Sequence, residues 1–152
     1  MSAKPDILPN SRLYEQDYAA WAIETGRLIR DGRFGDIDRE FLADEIESMA
    51  RSDRLQIKNR LEVLIRHLLK WVHQPEKRSR SWKLTMFHQR GRIERLCKDS
   101  PSLRRLVPEM IAEMYPASVE AANLETGLSK DAFPKQCPYS AAQILDRDFL
   151  PD

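Results

Sequence analysis

The sequence predicts an all-α fold: a bundle of about four main helices, one of them long, with an irregular C-terminal strap that ends in a short helix. Apolar residues recur at steps of three and four, and no segment alternates with the period of two that a half-buried strand requires. Only five glycines are spread over 152 residues, too few for a turn-rich β architecture. A chain of this length usually forms one domain and buries roughly 70% of its unfolded surface. The expected organisation is a flexible leader over residues 1–12 and a single helical domain over 13–152.

Met1 to Asn10 contains two prolines and few apolar residues, which reads as extended chain. Tyr14, Tyr18, Trp21, Leu28 and Ile29 then fall at helical spacing, and Gly32 follows as a terminator, so a first helix is expected there. Asp36 and Asp38 precede Phe41 and Leu42, where an aspartate can accept from first-turn amides and put negative charge at the positive end of the helix dipole. The second helix carries a stripe of Leu42, Ile46, Met49, Ile57, Leu61, Leu64, Leu68 and Val72 and stops before Pro75. Asp53 is a polar inset in that stripe. It allows two helices joined near Ala50 to Arg54, but the sustained period favours one long helix.

Ser79 or Ser81 is suited to cap a third helix. Trp82, Met86, Ile93, Leu96 and Cys97 share one side of it, and Arg80, Lys83, Arg90, Arg92, Arg95 and Lys98 spread over the other, with Leu84 and Phe87 projecting into the basic side. Ser100 with Pro101 forms a cap followed by proline at the first helical position, and Pro108 restarts the chain into a fourth helical region over about Glu109 to Glu125. Pro116 is expected to kink that region and Gly127 to close it in the left-handed conformation. From Leu128 two prolines, Pro134 and Pro138, precede a short helix at Ser140 to Leu145, the pattern of a strap wrapped over a bundle.

Glu45-Ile46-Glu47-Ser48-Met49, His67-Leu68-Leu69-Lys70-Trp71, Gln74-Pro75, Arg78-Ser79-Arg80-Ser81-Trp82 and Leu124-Glu125-Thr126-Gly127-Leu128 together resemble the bacterial family known as domain of unknown function 29. The likeness covers about Tyr14 to Pro151, and its most specific part is His67 to Trp82. It implies a mostly helical fold and a bacterial origin, with no activity, substrate or catalytic residue to carry over. Ala50 stands where the family is expected to favour glycine, and Pro116 interrupts a segment that members are expected to build as continuous helix.

Charge is strongly segregated. Residues 66–105 hold twelve Lys or Arg against three acids, and the rest of the chain holds thirteen against twenty-one, so a net of +9 faces a net of −8 within a chain of formal charge +1. The turn from Lys70 to Lys83 concentrates cations around Trp71 and Trp82. Guanidinium groups grip carboxylate or phosphate oxygens bidentately, and an indole offers a face for stacking. The candidate anion- or partner-binding residues are therefore Lys70, Arg78, Arg80, Trp82, Lys83 and Arg90, and the leading expectation is an interaction protein that binds an acidic protein or other polyanion.

Against this stands a plainer reading, in which both tryptophans are core residues and the cations pair with acids of the same fold. Nucleic-acid binding through the same surface is an alternative, although a pI of 7.8 lies below the value above about 9 usual for such domains. A metal-dependent enzyme using Glu45, Glu47 and His67 is a third. Its spacing is poor, because Leu64, Lys70 and Thr85 stand three residues before the histidines, where a carboxylate-bridged metal bundle places glutamate. His67 reads as a hydrogen-bonded structural histidine, and Ser79 and Ser81 read as caps rather than nucleophiles. No catalytic residue, metal ligand or cofactor is assigned. Without an eighteen-residue apolar run or a secretory leader, no membrane partner is expected and a cytoplasmic location is. Cys97 and Cys137 are expected to be unpaired.

Overall fold

The structure is a computed structural model and describes residues 9–152. Seven α-helices account for most of it: α1 (Pro9–Gln16), α2 (Tyr18–Arg30), α3 (Arg39–His73), α4 (Arg80–Asp99), α5 (Pro101–Arg104), α6 (Val107–Thr126) and α7 (Ala141–Leu145). There is no strand among the described residues, and the all-α expectation holds. The chain divides into two compact units, Met1–Arg51 and Ser52–Asp152, with α3 continuous through the division.

The first unit departs from the sequence reading at its start. Residues 1–8 of the expected leader lie outside the described residues, and α1 already begins at Pro9. The single expected first helix is two, because Asp17 leaves helical geometry at φ −155° and ψ 95° and its carboxylate accepts from the amide of Ala20 at 2.9 Å. An aspartate can satisfy an orphan amide this way wherever it falls, and here it interrupts an otherwise helical apolar period. Tyr14 meets the rings of Trp21 and Phe41 edge-on at 5.1 and 4.8 Å, an arrangement set by the aromatic quadrupole. Asn10 donates to the Thr25 hydroxyl at 3.0 Å in the same buried region. Gly32, at φ 69°, turns the chain after α2 as expected.

Asp38 caps α3 by accepting from the Phe41 amide at 3.1 Å. The helix is one piece, as its period indicates, with Asp53 half-buried within it. Burial follows only the later part of the stripe. Ile57, Leu61, Leu64 and Leu68 are fully buried, whereas Ile46 and Met49 remain more than half exposed.

In the second unit those α3 residues pack with Met86, Ile93 and Cys97 of α4 and Val107, Met110, Ile111 and Tyr115 of α6. α6 continues through Pro116 rather than breaking there, with Pro116 on its exposed side. Gly127 closes α6 at φ 73°. The strap then buries Phe133 and Ile144 against this core, and Tyr115 donates its hydroxyl proton to the Pro134 carbonyl at 2.5 Å. Ser140 and Gln143 cap α7 reciprocally through side chain and backbone. Both cysteines are free, Cys97 buried and Cys137 half-buried. No described helix is long and apolar enough to cross a membrane.

Candidate functional site

The basic turn is built by one proline and one serine. Pro75 has no amide proton and biases Gln74 out of helical geometry, to φ −133° and ψ 63°, so α3 stops at His73. A short 3-10 turn, Pro75–Lys77, leads to Ser79, whose hydroxyl accepts from the Trp82 amide at 3.2 Å and starts α4. The turn thus brings the end of α3 and the beginning of α4 together with their cations.

Those cations have different fates. Lys70 is buried, its ammonium 2.6 Å from the Glu125 carboxylate and 4.5 Å from the centre of the Trp82 ring. Arg66 reaches the other oxygen of Glu125 at 2.7 Å and Glu62 at 3.3 Å. Burial alone would raise the pKa of Glu125, but the hydrogen bond from Lys70 and the charges of Arg66 and Lys70 outweigh it and hold the carboxyl below its ordinary range. Burial pushes Glu62 the other way, upward, with Arg66 only partly offsetting it. Lys70 therefore belongs to an internal ion network rather than to an open surface.

Trp71 is buried in the core, and its ring is covered by Arg78 at 4.9 Å and Lys83 at 5.6 Å. Arg78 also donates from Nε to the Trp71 carbonyl at 2.8 Å, which anchors the turn to the end of α3. Trp82 is half-buried, packed against the core and faced edge-on by His67 at 6.5 Å. Both indoles are thus occupied within the fold. His67 places Nδ1 2.8 Å from the Val63 carbonyl, the structural role expected of it, and burial lowers its pKa.

Arg90 corrects the sequence reading. Assigned to the basic surface, it is 3% exposed, and its Nε donates to the Ile144 carbonyl at 2.8 Å, tying α4 to the strap. Its position on the helix lies at the edge of the apolar side, where a long aliphatic stem can be buried and only the tip need find a partner. Arg80 and Lys83 are exposed, as are Leu84 and Phe87 between them and the later turns of α4.

The internal pairing expected under the plainer reading is largely absent. Of the twelve basic residues in 66–105, Arg66 and Lys70 alone form ion pairs among the described residues. Lys77, Arg78, Arg80 and Lys83 meet no carboxylate among the described residues. No group of three His, Cys, Asp or Glu side chains among the described residues is placed to hold a metal ion; Glu45 instead accepts a long bond from the Tyr18 hydroxyl at 3.4 Å, and Glu47 pairs with Arg51 at 3.7 Å.

One feature of the second unit was missed in the sequence. A cleft of about 630 Å³ lies between α3, α4 and the segment after α7, walled by Arg60, Arg92, Arg95 and Arg147 with His88 and Phe87. Arg92 and Arg95 already stood out on the basic side of α4. Arg60 was hidden among the apolar stripe of α3, and Arg147 in the strap carries no periodic signal.

A family model described as domain of unknown function DUF29 matches residues 13–150, close to the bounds expected from the motifs. No curated protein and no solved structure matches the chain.

Proposed function

The chain belongs to the DUF29 family, a domain of unknown function, and we propose that it binds an acidic protein partner through the turn between α3 and α4 and the first turns of α4. The carrying observation is that Lys77, Arg78, Arg80 and Lys83 have no carboxylate partner among the described residues, beside an exposed Leu84. Unpaired cations steer an acidic partner and fix its register, and an apolar side chain among arginines supplies the small dry centre that protein interfaces use. Single-stranded nucleic acid would want open aromatic faces for stacking. Trp71 is buried under Arg78 and Lys83, and Trp82 is half-buried beneath Lys70, which argues for protein over nucleic acid.

The test uses two labelled probes, an acidic peptide containing leucine and a single-stranded oligonucleotide, followed by fluorescence anisotropy. The proposal expects the peptide to bind and the Arg80→Glu, Lys83→Glu double variant to lose at least about tenfold in affinity, since each reversed contact at a charged interface costs on the order of 1 kcal/mol or more. Leu84→Ala should weaken peptide binding as well. A probe preference for the oligonucleotide, with affinity collapsing steeply as salt rises, would instead establish the nucleic-acid reading. Equal peptide binding by the double variant would reject this surface. Co-purification followed by mass spectrometry would then identify the natural partner.

A further inference from the structure

We infer that the cleft walled by Arg60, Arg92, Arg95 and Arg147 is a binding site for a small phosphate ester, separate from the basic turn. Its volume of about 630 Å³ lies within the roughly 300 to 1,000 Å³ typical of small-ligand sites. Arg60, Arg92 and Arg95 come from two helices and none of them has an ion-pair partner among the described residues. Three like charges around one concavity repel one another, and this standing cost is what a bound anion would relieve. Arg60 shows the strain: burial and the neighbouring charge of Arg92 both lower its proton affinity. Its Nε is buried without a hydrogen-bond partner, while one terminal nitrogen reaches only the neutral Gln89 oxygen at 3.3 Å.

The number of donors selects the ligand class. A carboxylate offers two oxygens and one charge, enough to answer one guanidinium. A phosphate monoester offers three terminal oxygens and nearly two charges, which suits several guanidinium groups lining one cleft. Arg147 is held beside this group by Glu94, which accepts from its Nε at 3.0 Å and Nη2 at 2.7 Å. The same guanidinium lies 5.6 Å from the centre of the half-exposed Phe87 ring, so the cleft has a flat apolar wall next to its charge. A ligand with a phosphate and a planar or apolar body fits both.

Gly91 supplies an independent observation. It lies inside α4 and lines the cleft, where glycine weakens a helix by roughly 0.5 to 1 kcal/mol relative to alanine. A Cβ there would meet nothing nearer than the Arg147 guanidinium at 3.8 Å, so packing of the unliganded protein does not demand glycine. What the missing side chain leaves is room in the cleft.

The probes are phenyl phosphate and pyrophosphate, with benzoate as the carboxylate control and a single-stranded oligonucleotide as the polymeric source of phosphate. Each is titrated into the full chain and followed by amide NMR shifts. Saturable binding of phenyl phosphate and pyrophosphate at up to millimolar concentration is expected, with benzoate at least about tenfold weaker. Arg92→Gln with Arg95→Gln should weaken phenyl phosphate about tenfold or more, since each removes a charge-assisted bond. Gly91→Leu should block it while leaving the fold intact. Arg80→Glu with Lys83→Glu should leave it unchanged, so that loss of peptide binding and loss of ester binding report on different surfaces. Non-saturating shifts, indifference to the cleft variants, equal response to the turn variants, or binding of the oligonucleotide alone would each overturn the assignment.

Discussion

Glu125→Ala tests whether Lys70 serves the fold or a partner. The substitution removes the carboxylate that Lys70 and Arg66 share, at 2.6 and 2.7 Å. Arg66 keeps Glu62 at 3.3 Å, but Lys70, with a side chain only 10% exposed, keeps just the Trp82 ring. Stranding a fully buried charge costs about 3 to 5 kcal/mol. The Glu125 side chain is 38% exposed, so water enters the vacated space and about 2 kcal/mol is the better figure. For a chain of this size that corresponds to a fall of about 4 to 8 °C in Tm. Lys70→Met should cost less than about 1 kcal/mol, because methionine retains the stem's contact with Trp82 and Glu125 retains Arg66. Urea and thermal unfolding by circular dichroism give both values at neutral pH. In the double variant the penalty of Glu125→Ala should be largely relieved, since no ammonium remains to be stranded. A Lys70→Met variant as costly as Glu125→Ala, or a neutral Glu125→Ala, would refute the stranding of the Lys70 ammonium as the source of the penalty. Lys70→Met should also leave peptide binding intact.

Two further predictions concern buried titratable and charged groups. Burial holds the His67 pKa below 6.5, with the charges of Lys70 and Arg66 reinforcing it and the Val63 carbonyl and Glu125 opposing. Between the folded value and 6.5 the unfolded chain binds more protons, so the urea midpoint should fall as pH drops through that window and His67→Gln should flatten the slope. Comparison with that variant separates His67 from Glu62, whose raised carboxyl contributes the opposite slope just above 4.5. An unchanged slope in His67→Gln would remove the histidine from the account. Arg90→Ala should lower stability by about 2 kcal/mol, measured by urea unfolding, because it opens a cavity and strands the Ile144 carbonyl. Its effect on peptide binding should be small, and the reverse outcome would return Arg90 to the surface.

Several features were legible because they are made by neighbours in sequence. The caps at Asp38, Ser79 and Ser140 and the left-handed Gly127 each depend on a hydrogen bond or a backbone angle within a few residues, and all four fall where the residue types indicate. Asp17 uses the same chemistry, yet it sits where the apolar period invites one continuous helix, and the local cap prevailed. Pro116, expected to kink α6, stands inside the helix on its exposed side, and the helix runs on to Thr126 with Met110, Tyr115 and Ala122 buried along it. The stripe of α3 gave the buried face from Ile57 onward but not the exposure of Ile46 and Met49, because periodicity names a face and not the neighbour that covers it.

By itself, then, the sequence determined the helical fold class, the caps and closures made by near neighbours, and the separation of twelve cations from the acidic remainder. It could not determine which of those cations are answered. Glu125 meets Lys70 across 55 positions in the chain, Arg90 reaches Ile144 across 54, and Arg60 enters a cleft with Arg92 and Arg147. Helix formation is decided by bonds between near neighbours, whereas an ion pair or a cleft depends on distances of a few ångströms between distant segments. Only packing sets those distances. It turned Lys70 and Arg90 into parts of the fold and left Arg78, Arg80 and Lys83 without carboxylate partners among the described residues.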